Sequence, residues 1–96
     1  MPKTRINADK LHRFRNELSV ATLLADVLDL PTKISEGYLR FRCPACGEFN
    51  TATNPKTNLA RCFRCERNFN TIDLVMIVHR VNFLEAVDFL DDLLGP

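Results

Sequence analysis

The sequence contains no apolar run near the ~20 residues that a membrane-spanning helix requires, which excludes such a helix within it. Glycine is scarce, with three in 96 residues, and there is no repeat, low-complexity segment or long linker. A disordered or repetitive architecture is therefore excluded too. The first residues carry no apolar leader, and the expectation is a cytoplasmic chain in a reducing compartment. No cysteine is left over either, since all four fall into two pairs. What remains, at 46% hydrophobic and 26% charged, is the composition of one small globular domain with a modest core.

The two pairs carry the chemistry. Cys43-Pro44-Ala45-Cys46 and Cys62-Phe63-Arg64-Cys65 are separated by the fifteen residues Gly47 to Arg61, about the length a hairpin needs to bring the second pair back to the first. Each C-x2-C turn points two sulfurs at one ion, so Cys43, Cys46, Cys62 and Cys65 read as the four ligands of a single structural Zn²⁺. Two alternatives stay open at this point. One is a pair of disulfides; the other is a rubredoxin-like iron site, which Cys43-Pro44-Ala45-Cys46-Gly47 resembles but Glu66-Arg67 after the second pair does not. A four-thiolate site has no open coordination position, so it holds a fold together rather than activating water.

The formal charge of +1 conceals a polarised chain. Met1 to Leu18 holds five basic against two acidic side chains, and Lys33 to Arg67 holds seven against three. Ser19 to Thr32 carries only two aspartates, and Asn68 to Pro96 has one basic residue against five acidic ones. The arginines near the cysteines, Arg42, Arg61, Arg64 and Arg67, have a bland reading, which is neutralising a dianionic metal centre. The sharper reading is a polyanionic partner, because Arg40, Lys56 and the N-terminal basic cluster lie further from any ligand in sequence.

Hydrophobic spacing predicts an α+β fold, a small antiparallel zinc ribbon packed with N- and C-terminal helices. Residues 1–18 read as a basic helix capped by Asn7, with Leu11, Phe14 and Leu18 inward. Residues 19–96 read as the ribbon domain with its flanking helices, the whole forming one unit. Ser19 caps a helix bearing Val20, Leu23, Leu24, Val27 and Leu28, which Pro31 ends. Tyr38 to Cys43 alternates as a strand with Tyr38, Arg40 and Arg42 outward; Phe49 to Thr53 and Leu59 to Phe63 complete a single ribbon around Asn54 to Asn58. Thr71 to Arg80 reads as a helix buried on most sides. Asn82 with Glu85 opens the last helix, whose Phe83, Ala86, Val87, Leu90 and Leu94 face inward and whose Asp88, Asp91 and Asp92 face solvent. Phe41, Phe49 and Phe69 are expected in the core.

Taken together, Cys43-Pro44-Ala45-Cys46, Arg61-Cys62-Phe63-Arg64-Cys65, the apolar helix and Asn82-Phe83-Leu84-Glu85-Ala86-Val87 resemble the N-terminal zinc-binding domain of bacterial DNA primases. The likeness runs from about Ser19 to Leu94, and the Phe-x-Glu-Ala-Val string distinguishes it from generic zinc ribbons. It implies a zinc ribbon packed with helices that contacts single-stranded DNA template during primer synthesis in DNA replication. It also implies zinc at the four cysteines, a primase catalytic domain or a helicase as protein partner, and primer-synthesising chemistry in a separate domain. This chain departs from the family at Cys46, where histidine is usual. It departs also at Glu66-Arg67 and Phe69-Asn70, where the family tends to place glycine and Gly-Asp, so those turns are expected to be built differently.

The expected function is thus a non-catalytic module that binds single-stranded DNA through Arg40, Arg42, Lys56, Arg61 and Arg64, with Phe63 or Tyr38 stacking on bases. The alternative is a protein-interaction module without a nucleic-acid role, which gains ground if Glu36, Glu48 or Glu66 occupies the strand arginines. Ser35-Glu36-Gly37-Tyr38 reads as a turn rather than a catalytic loop, and His12 and His79 as structural.

Overall fold

The computed structural model describes residues 8–95. Asn7, proposed as a helix cap, and the basic residues Lys3 and Arg5 lie outside that range. The fold is α+β, with helices forming one layer and two small antiparallel sheets the other.

Helix α1 (Ala8–Asn16) buries Phe14 on its inward face. After Leu18, the Ser19 hydroxyl accepts from Thr22 N–H and starts α2 (Val20–Thr22), as its position predicts. That helix widens into a π-helical turn (Leu23–Val27) in which Leu28 N–H donates to the Leu23 carbonyl, five residues back. The adjacent leucines of this turn face inward together, Leu23 and Leu24 both being fully buried. Strands β1 (Thr32–Ser35) and β2 (Tyr38–Phe41) form a hairpin turning at Glu36 and Gly37, both with positive φ. Strands β3 (Thr51–Asn54), β4 (Leu59–Cys62) and β5 (Arg67–Phe69) form a separate three-stranded sheet.

The expected single ribbon is therefore two sheets, with β1 and β5 added. Threonine side chains stand between them in place of a backbone ladder. Phe41 N–H donates to the Thr51 hydroxyl oxygen (2.9 Å), and that hydroxyl donates to the Phe41 carbonyl (2.7 Å). Thr53 Oγ1 donates likewise to the Leu39 carbonyl at 3.1 Å. Alternation that reads only apolar against polar does not register this use of threonine.

Helix α3 (Thr71–His79) and helix α4 (Phe83–Leu94) each begin with a reciprocal capping box, Asn70 with Asp73 and Asn82 with Glu85. Arg80, in the left-handed region, ends α3. Ala86, Val87 and Leu90 of α4 are fully buried as expected, while Phe83 remains 36% exposed at the helix start. Among the acidic residues assigned to a solvated face, Asp88 and Asp91 are half-buried, and Asp91 lies 3.5 Å from Lys10. Phe41 and Phe69 join the core as predicted; Phe49 is half-buried beneath Lys33.

Among the described residues, one side chain fastens the helical layer to the β3–β4 hairpin with three bonds. Asn58 Oδ1 accepts from Val20 N–H at 2.8 Å, while its Nδ2 donates to the carbonyls of Arg15 (2.6 Å) and Leu18 (2.7 Å). At the other end of the layer, Arg13 donates to the carbonyls of Gly95 and Leu94, where the C-terminus of α4 lacks intrahelical donors.

Candidate metal centre and adjoining groove

The β3–β4 pairing sets Thr51 opposite Cys62 and so returns the second cysteine pair to the first. Gly47 N–H donates to the Cys43 carbonyl and Cys43 N–H to the Glu48 carbonyl, closing the first knuckle. The second is tied across the sheet by Phe63 N–H to the Asn50 carbonyl, and within itself by Cys65 N–H to the Cys62 sulfur at 3.3 Å.

The result is four free thiols whose sulfurs all lie within 4.8 Å of one another, with Cys43–Cys65 at 3.9 Å and Cys46–Cys62 at 3.6 Å. A tetrahedral ion with metal–sulfur bonds of about 2.3 Å separates its ligands by about 3.8 Å, so the cluster matches one four-coordinate ion. A disulfide would need about 2.05 Å. Cys43 and Cys62 are buried and Cys46 and Cys65 half-buried, so the centre sits at the edge of the core.

Without an ion, the cluster's acidity is uneven. Burial opposes ionisation of Cys62, but the Cys65 N–H and the neighbouring thiols donate to its sulfur and bring it down to about 7. Cys65 is pushed up to about 12, first by its hydrogen bonding with Cys62 and then by burial. Burial pushes Cys43 up as well. Of these three, Cys62 forms its thiolate most readily.

Among the described residues no guanidinium donates to a cysteine: Arg42 donates to the Gly47 carbonyl, Arg61 to Asn68 Oδ1, and Arg67 lies over Phe69. Arg61 instead occupies the middle of the outer face of the three-stranded sheet. The register sets Ala52 and Asn68 on either side of it, while Thr51, Thr53, Ala60, Cys62 and Phe69 turn to the core.

That outer face is the floor of a groove of about 470 Å³. Its walls are Tyr38 and Arg40 from β2 and Phe63 from the second knuckle, with Asn54 and Thr57 from the hairpin turn. Tyr38 is 51% exposed and Phe63 46%. Each ring has a guanidinium over it, Arg40 at 5.8 Å from the Tyr38 centroid and Arg61 at 5.6 Å from that of Phe63.

Of the residues proposed from sequence to meet nucleic acid, the fold thus brings Arg40, Arg61 and Phe63 together, with Tyr38. It leaves Arg42, Lys56 and Arg64 outside the groove; Arg42 lies past the end of β2 and is spent on the first knuckle. Sequence reasoning missed Ala52, Asn54, Thr57, Leu59 and Asn68. The period-two count from Arg61 would have identified Leu59, and the return pairing would have added Ala52. His12 bonds Asn16, and His79 sits 4.9 Å from the Phe89 ring; neither approaches the cysteines.

Fold and cluster together define a small α+β module, zinc-ribbon-like, with a four-cysteine metal site on its sheet layer. No protein-family model matches the chain, and no curated protein is similar enough to count as a relative.

Proposed function

We propose that the chain is a non-catalytic, zinc-stabilised module of a primase-like protein that binds single-stranded DNA template. Zinc is the ion that four thiolates at tetrahedral spacing favour, and iron is the competing occupant. When bound, the ion locks the two knuckles and leaves no position for substrate. The Phe83 to Val87 string, which carries the primase resemblance, has an architectural account: Glu85 completes a capping box, and Ala86 and Val87 are buried.

The observation that carries the reading is the groove, where two guanidiniums and two half-exposed aromatic rings share one concave face beside the second knuckle. Cations take phosphates and rings take unpaired bases, a combination suited to a single strand rather than to a duplex with its bases paired. Among the described residues no arginine donates to a sulfur, and Arg40 and Arg61 line the groove instead.

The protein-interaction reading draws on Arg40, whose guanidinium lies 3.9 Å from Glu36 and donates to the Thr51 carbonyl at 2.6 Å. Glu36 is 82% exposed, so it holds Arg40 only weakly; the Arg40 side chain is itself only 17% exposed, and what it offers a phosphate is the part that lines the groove.

The test is metal analysis followed by fluorescence anisotropy with a single strand and a duplex of equal length at two salt concentrations. The expected result is one zinc per chain and single-strand binding that weakens as salt rises, with Arg40→Ala and Arg61→Ala weakening it further in a folded protein. Salt-independent affinity, or no binding to either oligonucleotide, overturns the proposal.

A further inference from the structure

A second groove, of about 340 Å³, adjoins the first and shares Tyr38 and Thr53 with it. Its other walls are Ser19, Val20 and Ala21 at the start of α2, Gly37 and Leu39 beside Tyr38, and Pro55 and Asn58 of the hairpin turn. Among the described residues, no charged one lines it. The first groove, by contrast, contains Arg40 and Arg61.

Tyr38 is the partition. Arg40 lines the first groove and not the second, so the guanidinium over the tyrosine ring stands on the first-groove side. Tyr38 also lines the uncharged compartment, together with Ala21, Leu39 and Pro55. Asn58 spends its side chain on Val20, Arg15 and Leu18, so the hairpin turn and the start of α2 that bound this compartment are held at fixed separation.

We infer that the second groove is a nucleobase subsite, in which an unpaired base stacks on the uncovered face of Tyr38 while the phosphates flanking it lie in the first groove against Arg40 and Arg61. The inference rests on the single-strand reading above. The chemistry divides accordingly. A phosphate has no cationic partner among the described walls of this compartment, whereas a base has a π-face for the ring and tolerates apolar walls.

Two probes separate the subsite from the reading beneath it: oligothymidylate, and an abasic oligonucleotide of equal length with the same phosphates. The zinc-loaded full chain should bind both, the abasic strand more weakly by on the order of tenfold or more, which is what one stacked base commands. Ala21→Phe, which fills the second groove, should lower oligothymidylate affinity several-fold toward the abasic level, leaving only the share that stacking on Phe63 supplies, and leave the abasic strand unaffected. On the unaltered chain, amide NMR signals of Val20, Ala21 and Leu39 should shift with oligothymidylate only, while those of Ala52 and Arg61 shift with both. Equal affinity for the two strands, or shifts at Val20, Ala21 and Leu39 with the abasic strand, overturns the subsite and leaves the phosphate groove standing. Failure of both strands to bind overturns the single-strand reading and the subsite with it.

Discussion

The helical layer and the strand layer of this molecule are held by different forces. Of the seventeen buried apolar residues among those described, twelve belong to the helices and their immediate flanks, among them Leu23, Leu24, Leu74, Val75 and Leu90. The strand layer contributes five, and two of these are Cys43 and Cys62. Burial is non-directional and scales with apolar area, so the helices cohere through leucine and valine. The strand layer has too little such area. It relies on directed links: threonine hydroxyls between the sheets, the Asn58 clasp and the sulfur cluster. A layer stabilised this way can keep its outer face polar, as the groove requires.

Removing the ion should separate the two layers most. A structural zinc site contributes on the order of 10–16 kcal/mol of apparent binding energy, comparable with the whole stability of a small domain. Chelation, or Cys43→Ser, is expected to abolish amide-exchange protection in β3, β4 and β5 while α3 and α4 retain part of theirs. Equal protection in both layers after metal loss would end the comparison. Acid should act in the same direction. Cys43 and Cys65 hold their protons at neutral pH in the metal-free cluster, so uptake of an ion releases at least those two. Apparent metal affinity should then fall by ~100-fold or more per pH unit near neutrality, more steeply once pH drops through about 7, where Cys62 also takes a proton. A chelator-competition titration at several pH values measures the slope.

The helical layer was the more legible in sequence for the same reason. Its forces write a period. Leu11, Phe14 and Leu18 recur at helical steps, and Asn82 with Glu85 marks the start of α4. The metal centre was legible because cysteine has few other uses at that spacing. Directed links leave weaker traces. Nothing in the sequence of Thr51 and Thr53 says that their hydroxyls replace a ladder, or that Asn58 reaches back to the carbonyls of Arg15 and Leu18, about forty positions away. The groove was half legible: Arg40, Arg61, Phe63 and Tyr38 were marked by type, but Arg42 was assigned outward by extending the alternation past the last residue of β2. Lys56 and Arg64 were included for their charge alone.

Thr51→Val tests whether directed links matter as much as this contrast supposes. The change preserves shape and adds apolar surface, so a strand layer held by burial would tolerate it. If the hydroxyl is the link, the substitution strands a buried Phe41 N–H and its carbonyl, each lost partner costing about 1–3 kcal/mol. The expected loss is about 2–3 kcal/mol in denaturant unfolding of the zinc-loaded chain. Thr53→Val, which forfeits a single bond of 3.1 Å, should lose about 1 kcal/mol. Equal and negligible effects would return the strand layer to ordinary packing.

The smallest expected effect compares the two knuckles within the strand layer. The residue after each closing cysteine is left-handed, Gly47 at φ 80° and Glu66 at φ 54°. The second turn has no glycine at this position, and its backbone nevertheless shares the positive φ of the first. Glycine enters that region without a steric penalty, whereas a side chain adds about 1 kcal/mol of strain, partly offset by the greater unfolded-state freedom of glycine. Glu66→Gly should therefore stabilise the zinc-loaded chain by about 0.5 kcal/mol, and Gly47→Ala should destabilise it by about 1 kcal/mol. No atom lies within 4 Å of a Cβ built on Gly47, so that second cost is conformational rather than a clash. Opposite signs in paired thermal melts support a shared knuckle geometry. A loss of stability at Glu66→Gly as large as that at Gly47→Ala would mean that the Glu66 side chain itself holds the second turn.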